Sequence, residues 1–339
     1  MPLLALVFQA ALALLICILA PTIAQSMGLI DTPDSDRKLH VRPTPLVGGL
    51  AVMTPVLVAA AAFADDFTQP IYLVTCSLAL FFFVIGLLDD HKHVPASWRL
   101  ALAFLVTSVV FAILPDTQSA ALYFGTADNF IQLGSFAAIF FALCLVCLVN
   151  SVNMADGHNG LVIGMSVIWA LALFLQGPEW VQPICLGLLA CLAITLVFNL
   201  MGKLFLGDSG SYGIAAIIGL LVIQAHIAEP QNFPAERVIM WFLMPVADCC
   251  RIILLRLGMK QSPFTPDRSH LHHILSAWLG PNKGLAAYWV LVAVPVAVSI
   301  AASMAALLPL MVLTLVIYIS TVQLATAEAI ATAPASSFK

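Results

Sequence analysis

The chain reads as a succession of apolar runs separated by short polar joints. Runs of membrane-spanning length predict helices near residues 3–20, 46–63, 70–88, 100–114, 135–150, 160–176, 183–200, 210–228, 236–254, 285–303 and 307–327, eleven in all. The run at 100–114 is short for a span, so its helix has room to extend into the loop beside it. The expected fold class is an all-α polytopic integral membrane protein. It would form a single transmembrane catalytic domain over 1–327 with a short tail at 328–339.

The polar joints are not equivalent. Cytoplasmic loops retain Lys and Arg, and with eleven spans twelve of the thirteen basic residues fall on one side, leaving only Arg237 on the other. This predicts an outside N-terminus, a cytoplasmic C-terminus, and cytoplasmic segments at 25–45, 89–99, 150–160, 201–210 and 255–284. A cleaved signal peptide is the competing reading of residues 1–24, but no basic residue precedes Arg37 to supply its positive n-region. Seven of the eight His residues lie in these basic segments. On the opposite side, Asp65, Asp66, Asp116, Asp128, Glu179, Glu229 and Glu236 read as solvated turn residues. The longest stretch there, 115–134, has turn residues around Gly125 and Asp128 that suit a short hairpin.

Composition sharpens this picture. Of 339 residues, 62% are hydrophobic and 9% charged, with a mean hydropathy of +1.05, which leaves little chain for a soluble domain. The net charge of −4 carries no basic excess and argues against nucleic acid as a partner. All eight Cys fall inside apolar runs and are expected to pack as small hydrophobes. Cys144 and Cys147 have CxxC spacing, but no second pair accompanies them.

Candidate chemistry gathers on the basic side in four clusters. Asp89 and Asp90 follow one another where a helix ends. Carboxylates there oppose the helix dipole and raise each other's pKa, so a cation such as Mg²⁺ or Mn²⁺ is expected to compensate. Adjacent residues do not share a helix face, which predicts that the pair divides metal and proton work. The second cluster, Asn150 to Gly160, holds Asn150, Asn153, Asp156 and Asn159 at membrane depth, where polar groups are costly unless bonded or facing an aqueous site. The third, Gly207-Asp208-Ser209-Gly210-Ser211, opens a helix. Asp208 is expected as its N-cap, the free N–H groups as an anion cradle, and Asp208 as a ligand for a metal bridging to phosphate. The fourth, Pro266-Asp267-Arg268-Ser269-His270-Leu271-His272-His273, lacks Cys and a clean tetrahedral set for zinc. Its Arg268 suits an anion and sugar clamp, and idle loop histidines are the plainer reading. Together these residues are an inventory for metal-assisted phosphoryl transfer in which the membrane setting makes one reactant a lipid.

These clusters, with Gly28 to Pro33, Arg37-Lys38-Leu39-His40 and Pro45-Leu46-Val47-Gly48-Gly49 upstream, resemble in order the signatures of the polyprenyl-phosphate N-acetylhexosamine-1-phosphate transferases, glycosyltransferase family 4, over about residues 28–275. The Pro-Asp-Arg and His-x-His-His run looks like the WecA and TagO branch; the peptidoglycan branch has three consecutive His there.

The resemblance implies transfer of N-acetylhexosamine-1-phosphate, GlcNAc first, from a UDP-sugar to undecaprenyl phosphate, with UMP released and Mg²⁺ or Mn²⁺ required. This would take place on the cytoplasmic side of a bacterial inner membrane, at the start of a cell-surface polysaccharide such as O-antigen. It implies Asp89 and Asp90 as catalytic, Asp208 and Asp90 as metal ligands, and Lys38, Asn153, Asp156, Asn159, Arg268, His270, His272 and His273 as substrate-binding. A homodimer is left open. His93 stands where relatives often carry a third acidic residue, and Asn159 where they usually have Asp. The run from Asp89 to Pro95 with Trp98-Arg99 also looks like the branch that transfers 6-deoxy sugars, so that donor is an alternative. A covalent enzyme intermediate, a proton-coupled transporter and an inactive scaffold are the competing readings. Asp248, one turn before Arg251, reads as half of a bracing ion pair.

Overall fold

The computed structural model describes residues 3–33, 42–62, 70–118, 120–263 and 269–332. The helices are α1 Leu3–Ile18, α2 Ala20–Met27, α3 Gly48–Ala62, α4 Pro70–Lys92, α5 Ala96–Ile113, α6 Pro115–Gln118, α7 Ala137–Ala155, α8 Leu161–Gln176, α9 Gln182–Leu200, α10 Gly207–Ala228, α11 Ala235–Gly258, α12 Leu271–Leu279, α13 Pro281–Ala301 and α14 Met304–Thr332. Two small antiparallel ladders accompany them, β1 Ile30–Asp31 with β2 Thr44–Pro45 and β3 Ala121–Phe124 with β4 Thr126–Gln132. The chain is an all-α polytopic membrane protein. Each of the eleven expected runs is helical, but length and apolarity support fewer crossings: among the described residues eight helices qualify, nine if α1 and α2 form one span bent by 70°. The remaining two, α3 and α8, are shorter apolar helices.

Local chemistry explains the departures from the expected boundaries. Pro21 sits in the first turn of α2, where its missing N–H and fixed φ suit a new helix start but not the continuation of α1. Helix α5 starts at Ala96, after Pro95, so the short run does extend into the loop. Helix α12, absent from the hydrophobic reading, is built from the His-rich segment itself.

Helix α10 is the axis of the bundle, with every residue from Ser209 to His226 buried, and α3, α4, α7 and α8 pack around it. Small residues allow the backbones to approach, as in other membrane helix pairs. A Cβ on Gly86 would lie 2.3 Å from the Asp208 carbonyl oxygen, and one on Gly49 2.4 Å from the Gly210 nitrogen. Gly86→Ala is therefore expected to force α4 away from α10 at a cost of about 1–3 kcal/mol, read as a lowered thermal midpoint of the detergent-solubilised protein. An unchanged midpoint would show that the contact relaxes freely.

The ladder ends tie distant segments together near the start of α10. The Phe205 N–H donates to the Pro45 carbonyl at 2.8 Å, and the Gly48 and Gly49 N–H groups donate to the carbonyls of Phe205 and Leu206 at 2.9 and 2.8 Å. At the other end of the bundle the hairpin suited to 115–134 is present, turning at Gly125 with φ +56°. Glu236 does not fit the expected solvated turn: it is buried and accepts a hydrogen bond from the Gly125 N–H at 3.3 Å.

Candidate active site

The site is built on the start of α10 and the adjacent end of α4. Asp208 lies in the first turn of α10, inside the helix, and no side chain of that segment caps it. Asp90 supplies the cap from the neighbouring helix, its carboxylate accepting the Asp208 N–H at 2.7 Å and the Ser209 N–H at 2.9 Å. The anion cradle expected for phosphate is thus filled by a carboxylate of the chain itself. Gly207, at φ +75°, makes room for this, because a Cβ there would sit 2.7 Å from Asp90 Oδ2. Both Asp90 oxygens are thus engaged on a helix N-terminus, and the cap expected of Asp208 comes instead from Asp90.

Asp89 points elsewhere, as neighbours on a helix must. It is buried, takes the Val94 N–H at 2.7 Å on one oxygen, and pairs with the Arg99 guanidinium through the other. The compensating cation expected beside the Asp pair is therefore, at Asp89, an arginine. Both Asp89 oxygens are thus engaged, one by the Val94 N–H and the other by Arg99. Arg99 also reaches Asp208 at 3.4 Å and lies over the Tyr212 ring. Sequence reasoning used Arg99 only for charge counting and for a branch signature; its fixed spacing of ten residues from Asp89, across a Pro95 break, was the available signal.

The second cluster folds against the same helix start. The Asn153 amide donates to Asp208 Oδ1 at 2.7 Å and to Ser211 Oγ at 3.0 Å, so it orients Asp208. Asp156 follows at the C-terminus of α7. Part of it is accessible, yet the surrounding protein desolvates its carboxyl, and with the charges of Asp208 and Asp90 this pushes its pKa up to about 8. Asn159 lies on the loop leading to α8. That loop is fastened by Asn199, which accepts the Gly160 N–H at 2.5 Å and donates to the Leu204 carbonyl at 2.9 Å, a second polar residue that sequence reasoning missed.

The His segment is ordered by Asp248, on the Pro245-containing helix α11. Asp248 accepts from Arg251 at 2.7 Å, from His270 Nδ1 at 2.9 Å, from the Leu271 N–H at 3.1 Å and from the Tyr318 hydroxyl at 3.1 Å. The bracing pair with Arg251 is present, and it is one part of a larger hub that seats α12. His270 is thereby committed through one ring nitrogen. His272 is buried rather than loop-exposed, stacks on His270, lies tilted against His273, and meets Gly157 so closely that a Cβ there would clash with its Nε2. The His motif therefore abuts the Asp156-Gly157 loop. Lys38 and Arg268 lie outside the described residues.

Burial and the neighbouring His273 and His270 hold His272 down at about 3, so its ring is neutral at pH 7, with both ring nitrogens buried and unpartnered. An unsatisfied buried polar group costs stability, about 1–3 kcal/mol. The folded value lies below the ordinary 6.5, so the unfolded chain binds the proton first and stability is lost as pH falls from 6.5 towards 3. His272→Leu is expected to flatten that acid limb and to keep or raise the thermal midpoint at pH 7. A lower midpoint at pH 7 with an unchanged acid limb would contradict this.

Asp90 and Asp208 lie close enough to Asp156 to raise its pKa, and hard carboxylate oxygens suit Mg²⁺ or Mn²⁺. Among the described residues no three His, Cys, Asp or Glu form a closed metal cage. One or two carboxylates completed by substrate phosphates is the usual arrangement for Mg²⁺, and the residues present fit that.

Comparison with known proteins agrees with this geometry. The profile described as Glycosyl transferase family 4 matches residues 71–226, which include Asp89, Asp90, Asn153, Asp156 and Asp208. The chain is 30% identical over 270 residues to the undecaprenyl-phosphate alpha-N-acetylglucosaminyl 1-phosphate transferase of Yersinia pestis, covering 76% of this chain and 72% of the relative. It is 29% identical over 273 residues to a probable undecaprenyl-phosphate N-acetylglucosaminyl 1-phosphate transferase of Bacillus subtilis (strain 168), covering 78% and 74%. The Escherichia coli (strain K12) undecaprenyl-phosphate alpha-N-acetylglucosaminyl 1-phosphate transferase is 29% identical over 271 residues, covering 76% and 71%. With the motif residues assembled at one end of an apolar helical bundle and relatives aligned over most of the chain, the protein belongs to glycosyl transferase family 4.

Proposed function

We propose that the protein transfers N-acetylhexosamine-1-phosphate, with GlcNAc the first-choice sugar, from a UDP-sugar to undecaprenyl phosphate and releases UMP, on the cytoplasmic side of a bacterial inner membrane. The observation that carries this reading is the contact between Asn153 and Asp208, 2.7 Å apart at the start of the buried axial helix and close to Asp156. It joins two motifs separated by 55 residues into one polar site at the end of a lipid-embedded bundle.

In the reaction an oxygen of the lipid phosphate forms a bond to the sugar-bearing β-phosphorus, and the bond from that phosphorus to the bridging oxygen breaks, with the electron pair leaving on UMP. A divalent cation held by Asp208 and Asp156 would neutralise charge on the pyrophosphate. Asn153 fixes the direction of Asp208, and Asp90 fixes the turn that carries it. Arg99, anchored by Asp89, offers guanidinium N–H groups to phosphate oxygens. The lipid phosphate has a second pKa near 6, so it reaches pH 7 largely as the dianion and asks little of a base. Neutral His272, with His270 and His273, borders the Asp156-Gly157 loop and supplies hydrogen-bonding groups to the sugar or pyrophosphate, and Asn159 faces the nucleotide. Lys38 and Arg268 are assigned to the nucleotide and the pyrophosphate on their motifs alone.

The test is transfer of radiolabelled sugar-1-phosphate into a butanol-extractable lipid by purified protein, with UDP-GlcNAc, UDP-GalNAc and 6-deoxy donors, with and without Mg²⁺. Metal-dependent label from UDP-GlcNAc supports the reading. Label only from another donor moves the sugar, and none from any donor overturns the reading.

A further inference from the structure

Asn150 and the Cys144–Cys147 pair are left unused by the proposed reaction, and the fold brings them to one place. The second thiol pair that the sequence does not set beside Cys147 arrives from another helix: Cys249 and Cys250 stand on α11, which packs against α7, with Cys249 buried. The Cys249 thiol lies 3.4 Å from the Met154 thioether sulfur. The Asn150 amide donates to both, at 3.3 Å to Met154 Sδ and at 3.7 Å to Cys249 Sγ. A strong amide donor is thus directed at two weak sulfur acceptors. Cys147 and Cys250 are close enough to interact electrostatically with Cys249 and with each other. Met154 is half-buried in the last turn of α7, three residues before the exposed Gly157, so the sulfur cluster lies within a turn of the polar site.

Thiol and thioether ligands are soft and select Cu(I) over the hard cations that carboxylates hold. Among the described residues no three His, Cys, Asp or Glu form a closed cage, so the cluster does not offer the four such ligands of a structural Zn²⁺ site. We infer that Cys249 and Met154, with Cys147 beside them, bind a monovalent soft cation of the Cu(I) class, and that its binding inhibits the enzyme. On binding, the Cys249 S–H bond breaks, the sulfur bonds the metal and the proton passes to solvent, while Met154 donates a lone pair without change of charge. The two sulfurs are already in contact, so an ion bonded between them must part α7 from α11 at this level. Met154 follows Asn153, which aims Asp208, and Cys249 follows Asp248, which seats α12. Parting them therefore disturbs both sides of the site.

The experiment uses the full chain in detergent, without oxygen, with Cu(I) buffered by a chromophoric chelator. The protein is expected to withdraw one Cu(I) per chain, with sulfur neighbours in its X-ray absorption fine structure, and to gain thermal stability on doing so. Cys249→Ser and Met154→Leu, which nearly conserve volume, should each weaken binding at least about tenfold, the lower end of the loss from disturbing even an outer partner of a metal. Each should also lose the Cu(I)-dependent rise in thermal midpoint, a readout taken against the variant's own metal-free midpoint. Cys76→Ala, a thiol on α4, should leave binding within about twofold. In the transfer assay, half-inhibition of Met154→Leu should need at least about tenfold more free Cu(I) than that of the parent. No withdrawal of Cu(I), nitrogen or oxygen neighbours in place of sulfur, or parent-like binding by both variants would overturn the site. Full binding with unchanged transfer would overturn its inhibitory role. Because binding needs no turnover, sulfur-bound Cu(I) on a chain that transfers no sugar would uphold the site and count against the transferase reading alone.

Discussion

Asp208→Asn is expected to lower metal-dependent transfer by about 100- to 1000-fold, the range for removing one preorganised electrostatic group from a reaction centre, while leaving the fold intact. Asp208 accepts from Asn153 on one oxygen and approaches Arg99 with the other. An amide in its place turns one acceptor into a donor facing a donor and removes the charge that attracts a divalent cation. The start of α10 is not at stake, because the side chain of Asp90 caps it through backbone N–H groups that the substitution leaves in place. Activity should therefore fall without a matching loss of thermal stability, and adding Mg²⁺ should restore little. Transfer within tenfold of the parent protein would remove Asp208 from the metal site.

Asp248→Ala should do the opposite and destabilise the protein by about 3–5 kcal/mol, the cost of breaking a buried ionic network from one side. Asp248 is 3% exposed and gathers Arg251, His270, the Leu271 N–H and Tyr318 from three helices and the segment before one of them. Its loss leaves these groups buried without their shared acceptor and frees α12, which carries His272 against Gly157. The measurement is chemical or thermal unfolding in detergent. Asp248→Asn, which keeps one carbonyl acceptor, should fall between the parent and Ala. Stability within about 1 kcal/mol of the parent would show that water replaces the hub.

The contrast between these two aspartates shows what a linear reading of the chain reaches. Asp208 stood out because a small-residue helix start beside a carboxylate has a direct meaning for phosphate and metal chemistry. Asp248, inside an apolar span, was legible only as a local pair with Arg251, since the i,i+3 spacing exposes that contact and nothing in the spacing points to Tyr318 or His270. The Asp pair was legible as a place where charge needs compensation, but its partners were not. Asp89 found Arg99 across a turn, and Asp90 found the start of a helix 118 residues away. Glu236 looked like a solvated turn residue because nothing in the sequence shows a hairpin folding over it.

By itself the sequence determined the membrane class, the eleven apolar helical runs and the clustering of His, Asp and Asn at the basic joints. These are set by local hydropathy and by short-range spacing, which any segment carries with it. Only the tertiary structure decided which carboxylate caps α10, which one holds Arg99 and how Asn153 aims Asp208. Those outcomes depend on backbones meeting at Gly49, Gly86 and Gly207 and on competition among buried donors for a few acceptors. Such competition is resolved by packing, because inside a bundle each donor bonds the acceptor that geometry brings within reach, however far away it lies in the chain.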